Sequence, residues 1–242
     1  MSAVDLGTDH HVHSQFSDDA DSTMTANVAA ALAAGLTSLR LVDHVRSTTP
    51  WLPDYLLAWQ EATALGRDGG LEVLSGVEAK ILDTSGTVDV PPSLVVGRGG
   101  VDRVLLADHQ VPGPDGPWSP TRARAELDSG LTPQALTTML VEATCAAMGR
   151  VARAQLAHLF SVLPKVGLGE DDVSDELLER LAAAAARTGT PVEVNEKWGC
   201  PGHRVLDVLA AHDVRLVAST DAHRAEDVGR YARVLALARA GA

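Results

Sequence analysis

"TDHHVHSQFSDDA", residues 8–20, sets His10, His11 and His13 beside Asp9, Asp18 and Asp19 in one short segment. In an extended strand, residues two apart point to the same face. His11 and His13 can therefore reach one ion together, while His10 faces away from them. Imidazole and carboxylate are the donors that suit Zn, Mn or Fe. The segment reads as half of a metal site, and the fold must supply the other half.

Working outward, the same arrangement recurs. Asp43-His44 ends "SLRLVDH", Glu78 ends "LEVLSGVE", and Asp108-His109 ends "VLLADH". His158 ends "AQLAH", Asn195 ends "PVEVN", and Asp221 and His223 end "RLVASTDAH". Each follows a short apolar run. One histidine at a strand end is usually a hydrogen-bonded core or surface residue. Independent placement does not readily give His11, His13, His44, His109, His158 and His223 the same position. Of the others, His212 in "LAAHDV" suits a helix C-terminus, where the dipole favours it. His203 lies in the "GCPGHR" loop.

Between these runs lie Ala/Leu-rich segments. Val4–Leu6 leads into the histidines, and 26–34 reads as a helix capped by Thr23 or Thr25 and closed by Gly35. Strands are expected at 38–42, 71–77, 104–107, 154–157, 191–194 and 216–219. Helices are expected at 55–67, 133–149, 175–188, 204–211 and 227–240. Residues 83–100 and 111–120 read as Pro/Gly-rich loops. Strands that alternate with helices pair in parallel through right-handed crossovers. About seven such units in 242 residues fit a closed or nearly closed barrel, whose active sites lie at the C-terminal strand ends.

The bulk numbers narrow the class. Hydrophobic residues make up 45% and aromatics 3%, so the core is built of Ala, Val and Leu. A formal net charge of −12 opposes binding to nucleic acid or anionic membrane. Cys145 and Cys200 form no CxxC pair, which fits a reducing compartment. The start, "MSAVDLGTD", carries no signal-peptide pattern, and no stretch approaches the ~18–20 apolar residues of a membrane span. A cytoplasmic chain is expected.

Together these motifs (D-x-H-x-H-S at Asp9–Ser14, L-V-D-H, G-V-E-A-K at Gly76–Lys80, D-H-Q, A-H, V-E-V-N and S-T-D-A-H) resemble the PHP family, the polymerase and histidinol phosphatase superfamily. The opening H-x-H-S-x-F-S-x-D is closest to its histidinol-phosphatase-like branch. The resemblance implies a single α/β domain over 1–242, a distorted (β/α)7 TIM-like barrel with a trinuclear centre. It implies one ion on His11, His13, Glu78 and Asp221, and a second on Glu78, His109 and His158. A third would take His44, His223 and Asp19, with Asp18 as the rival for that acid. Asp9 would hold an imidazole in its tautomer or, equally, bond to backbone at the strand end.

The implied reaction is hydrolysis of a small phosphate monoester by a metal-bridging hydroxide, with Glu78, Asp221 and His223 as catalytic groups. Divalent ions, three of Zn, Mn or Fe, are the expected cofactor. Arg46, Lys80, Lys197, His203 and Arg204 are the candidates to hold the phosphorylated metabolite, with Arg122 and Lys165 as further cations. The branch carries a small, polar, Arg/Lys-bearing segment after V-E-V-N. This chain has "EKWGCPGHR" there, and Glu196 and Trp198 alter the pocket. A competing reading is a metal-dependent amidohydrolase, which usually has eight strands and often bridges its metals with a modified Lys after the fourth. Here the bridging candidate, Glu78, follows the third. A metal-binding module without catalysis has little reason to keep every ligand.

Overall fold

Residues 4–240 are described by the computed structural model. The N-terminal reading of "MSAVDLGTD" rests partly on residues 1–3, which lie outside them. In chain order the elements are β1 (Thr8–Val12), α1 (Met24–Ala33), β2 (Ser38–His44), α2 (Leu52–Asp68), β3 (Glu72–Lys80) and β4 (Arg103–Ala107). Then come β5 (Val111–Gly113), β6 (Gly116–Trp118), α3 (Pro120–Asp128), α4 (Pro133–Arg150) and β7 (Ala154–Leu156). The chain ends with α5 (Asp175–Thr188), β8 (Val192–Asn195), α6 (His203–Ala211), β9 (Leu216–Ser219) and α7 (Arg233–Ala240).

Seven strands form one sheet in the order β1-β2-β3-β4-β7-β8-β9, and each neighbouring pair runs parallel. The ends meet beyond β9, where Val12 bridges Ala222 in parallel and His13 N–H donates to Ala222 O at 2.8 Å. The result is a nearly closed (β/α)7 barrel. Every C-terminal strand end therefore opens at one mouth.

Local chemistry sets the helix limits. Thr23 Oγ1 accepts from Ala26 N–H at 3.1 Å and starts α1. Ser174 caps α5, and Asp175 and Glu176 place negative charge in its first turn, where the dipole favours it. Gly189, at φ 64°, ends α5 in the left-handed region that glycine adopts without strain.

Two expectations need correction, and one gains definite bounds. The first strand takes the bounds Thr8–Val12, with His10 and His11 inside it and His13 just past its end. Before it, Asp5 forms a turn, accepting from Gly7 N–H at 2.9 Å. The 111–120 loop contains the β5–β6 hairpin, followed by α3. In that hairpin, a Cβ on Gly113 would lie 2.2 Å from Trp118 Nε1, so the ring packs directly on bare backbone. The final helix is confined to Arg233–Ala240, after a single 3₁₀ turn at Ala225–Asp227. Gly229 separates the two, with φ 69° and its N–H donated to Asp9 Oδ2 at 3.0 Å.

Barrel interiors are usually filled with bulky branched apolar side chains. Here the buried set also includes Asp9, His11, Gln155, Glu193, Asn195 and Ser219. Buried polar groups persist only when they are hydrogen-bonded, and these form the support of the site described next.

Candidate metal centre

Glu78, near the end of β3, is buried, and imidazoles approach it from several sides. His158 Nε2 and His109 Nε2 lie 2.8 and 3.2 Å from its Oε1. His44 Nδ1 lies 2.8 Å from its Oε2, and His11 and His13 Nε2 each lie 3.6 Å from the same oxygen. His13 Nε2 is 3.4 Å from Asp221 Oδ1, and His223 Nδ1 is 3.5 Å from it. Asp19 faces His44 at 3.4 Å and His223 at 3.3 Å, whereas Asp18 points to Arg46 at 3.8 Å. All the expected ligands thus converge on one mouth.

Among the described residues, the donors fall into three overlapping groups: His11–His13–Glu78, His44–Glu78–His109 and His13–His44–His223. Glu78, His13 and His44 each belong to two of them. Two features fit cations. Glu78 Oε2 is buried without a hydrogen-bond partner, because the nearby His44 nitrogen is close but not aligned. His11 and His13 bring their Nε2 atoms to 3.0 Å from each other, which without a cation requires a shared proton. Imidazole nitrogens and carboxylates in these groups are the donors expected of a transition-metal site.

The charges agree. Burial alone would raise the Glu78 carboxyl, but the imidazoles of His109 and His11 hold it well below the usual carboxylate range. Burial also opposes ionisation of Asp221, and His11 and His13 reverse that. Burial pushes His13 down to about 3, and the neighbouring His11 adds to this, so His13 is a neutral donor. For His158, burial lowers the pKa, but hydrogen bonds to Asp108 and Glu78 outweigh it and push the imidazole up to about 10. Below that pH a cation must displace the proton on His158. Zinc added to the chelator-stripped protein at neutral pH should therefore release protons into weak buffer. Its apparent affinity should rise about tenfold per pH unit for each proton displaced. A pH-independent affinity would show that these imidazoles are not ligands.

Strand geometry alone does not aim the imidazoles. Glu193, inside β8, accepts from His11 Nδ1 at 3.0 Å, Gln155 Nε2 at 2.8 Å and Ser219 Oγ at 2.9 Å. Asn195 Nδ2 and His158 N–H each donate to it at 3.2 Å. Ser17 Oγ lies 3.0 Å from His13 Nδ1 and donates to Asp43 Oδ1 at 2.7 Å. Asp108 Oδ1 lies 3.3 Å from His158 Nδ1. Such contacts fix tautomers and ring orientation around metals. Asp9 has a different role: it accepts from Thr220 N–H, Thr220 Oγ1 and Gly229 N–H at 3.0, 2.6 and 3.0 Å and reaches no imidazole. Sequence reading missed Glu193, although a charged residue inside the apolar run "PVEVN" was a signal for it. His158 and Asp221 take φ of 27° and 53°, left-handed values that are uncommon for non-glycine residues and recur at functional sites.

The mouth holds a cavity of about 290 Å³ whose cations are Arg46, Lys80 and Lys197. Trp198 forms part of its wall, with Nε1 donating to Asp221 Oδ2 at 2.8 Å and Lys165 Nζ lying 4.1 Å above its ring. Arg204 lies elsewhere, donating to Glu170 O, Val173 O and Asp175. His203 stands at the start of α6, outside the lining. Arg122 is paired with Asp115 beside the hairpin. Glu196 lies outside this lining; its carboxylate accepts backbone N–H groups at the start of α7, from Ala232, Arg233 and Val234.

Residues 9–197 match the PHP domain family. A "probable phosphatase" of Vibrio parahaemolyticus is 26% identical over 226 residues, covering 93% of this chain and 81% of that protein. A "probable phosphatase" of Vibrio campbellii is 25% identical over 231 residues, covering 96% and 83%. Among solved structures, a histidinol phosphate phosphatase from Lactococcus lactis, complexed with zinc, L-histidinol and phosphate, superposes with a TM-score of 0.67 at 18% identity, covering 96% of this chain and 91% of that one. The matched segment runs from the strand that carries His11 past the one that carries Glu193, and the chain belongs to the PHP domain family.

Proposed function

We propose that the chain is a metal-dependent phosphoesterase that hydrolyses a small phosphate monoester. The supporting observation is Glu78, a buried carboxylate shared between donor groups beneath a cavity lined by cations. His11, His13, Glu78 and Asp221 would hold one divalent ion, Glu78, His109 and His158 a second, and Asp19, His44 and His223 a third. Ions held there supply positive charge to the phosphoryl oxygens and lower the pKa of water to about 7.

The chain's own groups do the rest. Lys80, Arg46 and Lys197 orient the ester's dianion, and positioning with charge neutralisation supplies most of phosphoryl-transfer catalysis. Lys197 Nζ, 3.1 Å from His223 Nδ1 and 3.7 Å from Asp221 Oδ1, is placed to meet a phosphoryl oxygen. The leaving oxygen would take its proton from water held beside Asp221 and His223, because Asp221 is ionised and serves as a metal donor. Trp198 offers a flat apolar wall to the alcohol part of the ester. Lys197→Met should raise KM about tenfold with a smaller change in kcat, the signature of lost binding. An unchanged KM would remove Lys197 from the substrate's path.

The decisive experiment joins metal analysis of the purified protein to a panel of phosphorylated metabolites, histidinol phosphate included, assayed with Mn, Zn or Fe. Hydrolysis of one ester that chelation abolishes is expected. Activity indifferent to chelation, or none on any ester with any metal, would overturn the proposal.

A further inference from the structure

We infer that the opposite, N-terminal mouth of the barrel is a second ligand site, built for a tetrahedral oxyanion such as phosphate. A cavity of about 480 Å³ opens there, lined by Arg40, Arg103, Arg215, His10 and Gln155. These residues come from strand beginnings and the barrel floor, and the cavity shares no lining residue with the metal mouth.

Three guanidinium groups thus face one cavity, none of them in an ion pair among the described residues; Asp102, near Arg40 and Arg103, accepts from Ser75 instead. The arginine ion pairs of the described residues lie elsewhere, on Arg46, Arg122, Arg180, Arg204 and Arg224. Among the described residues, Arg40 donates to Ser75 O, at 2.6 Å, and Arg103 to Ala154 O, at 3.1 Å. Two carboxylates share the lining, Asp5 and Glu72. Asp5 is used by its own turn, Glu72 is exposed, and neither forms an ion pair there. The arginines also oppose one another: burial, then the charge of Arg103, brings Arg40 down to about 10.

The site carries unmet hydrogen-bonding capacity as well. Arg40, His10 and Gln155 are 4%, 7% and 0% exposed, yet Arg40 Nε, His10 Nδ1 and Gln155 Oε1 have no partner among the described residues. An unsatisfied buried polar group costs about 1–3 kcal/mol, so native structures rarely leave several together. A phosphate offers acceptor oxygens to Arg40, Arg103 and Arg215, and Arg is the side chain whose planar fork matches such an anion. The amide of Gln155 is held in place because its Nε2 donates to Glu193 and His10 O. Its Oε1 therefore stays an acceptor, which the P–OH of hydrogen phosphate can meet.

The test is calorimetric titration of the metal-loaded full chain with inorganic phosphate, compared with Arg103→Gln/Arg215→Gln. The wild type is expected to show a phosphate-binding event that persists after chelation. In the double variant that event should weaken by about tenfold or more, with metal content unchanged. If the double variant does not fold, Arg215→Gln alone carries the comparison, since Arg215 is exposed. Equal phosphate affinity in wild type and variant, or binding that vanishes entirely with the metal, overturns the inference. Neither readout depends on the substrate of the other mouth.

Discussion

Glu78→Ala should purify without its metal and lose about a thousandfold or more in turnover, the order expected when a central charge of a preorganised site is removed. The carboxylate is the common member of the His11–His13 and His44–His109 groups, so its loss disturbs several sites at once. It also removes one of the hydrogen bonds that raise His158, so the stripped variant should release fewer protons when zinc is added. Metal analysis and steady-state kinetics on the same preparation decide the matter. A variant with wild-type metal content and turnover would refute the shared role of Glu78.

Glu193→Ala should be the most destabilising single change near the site. It leaves His11 Nδ1, Gln155 Nε2, Asn195 Nδ2, Ser219 Oγ and His158 N–H without their shared acceptor, at a position with no solvent exposure. Removing one partner of a buried charged pair costs about 3–5 kcal/mol. For a chain of this length that corresponds to roughly 6–20 °C in Tm. Melting of metal-free protein isolates this from any lost metal. In the loaded protein, metal affinity should fall about 10–100-fold, because His11 loses the contact that fixes its tautomer. Glu193→Gln keeps the volume but turns an NH₂ group toward donors, so it should recover only part of the loss. A Tm within a degree or two of wild type for Glu193→Ala would show that the network is not a support.

The remaining sequence-level expectations divide along physical lines. The helices with strong caps and glycine stops, α1 and α5, are legible because local hydrogen bonding sets their ends. Helix α3 was not, since it buries only Ala123 and so shows no apolar face. The bounds of the first strand were less legible, because Thr8–Val12 carries polar residues into a buried network where hydrophobic patterning gives no edge. Arg46, Lys80 and Lys197 meet at the cavity while Arg204 does not. A long cation on a loop gives no local sign of which way it turns.

The sequence by itself determined the alternation of short strands with helices and the placement of imidazoles and acids at successive strand ends. Parallel pairing then sends all those ends to one side, so the convergence of the ligands was readable in advance. Only the tertiary structure decided which buried groups hold the imidazoles in position and which cations reach the mouth. It alone also gathered Arg40, Arg103 and Arg215 at the far end. Those contacts join residues as far apart as His11 and Glu193, 182 positions along the chain. Closure of the barrel creates that proximity, and no local pattern of hydrophobicity or spacing encodes it.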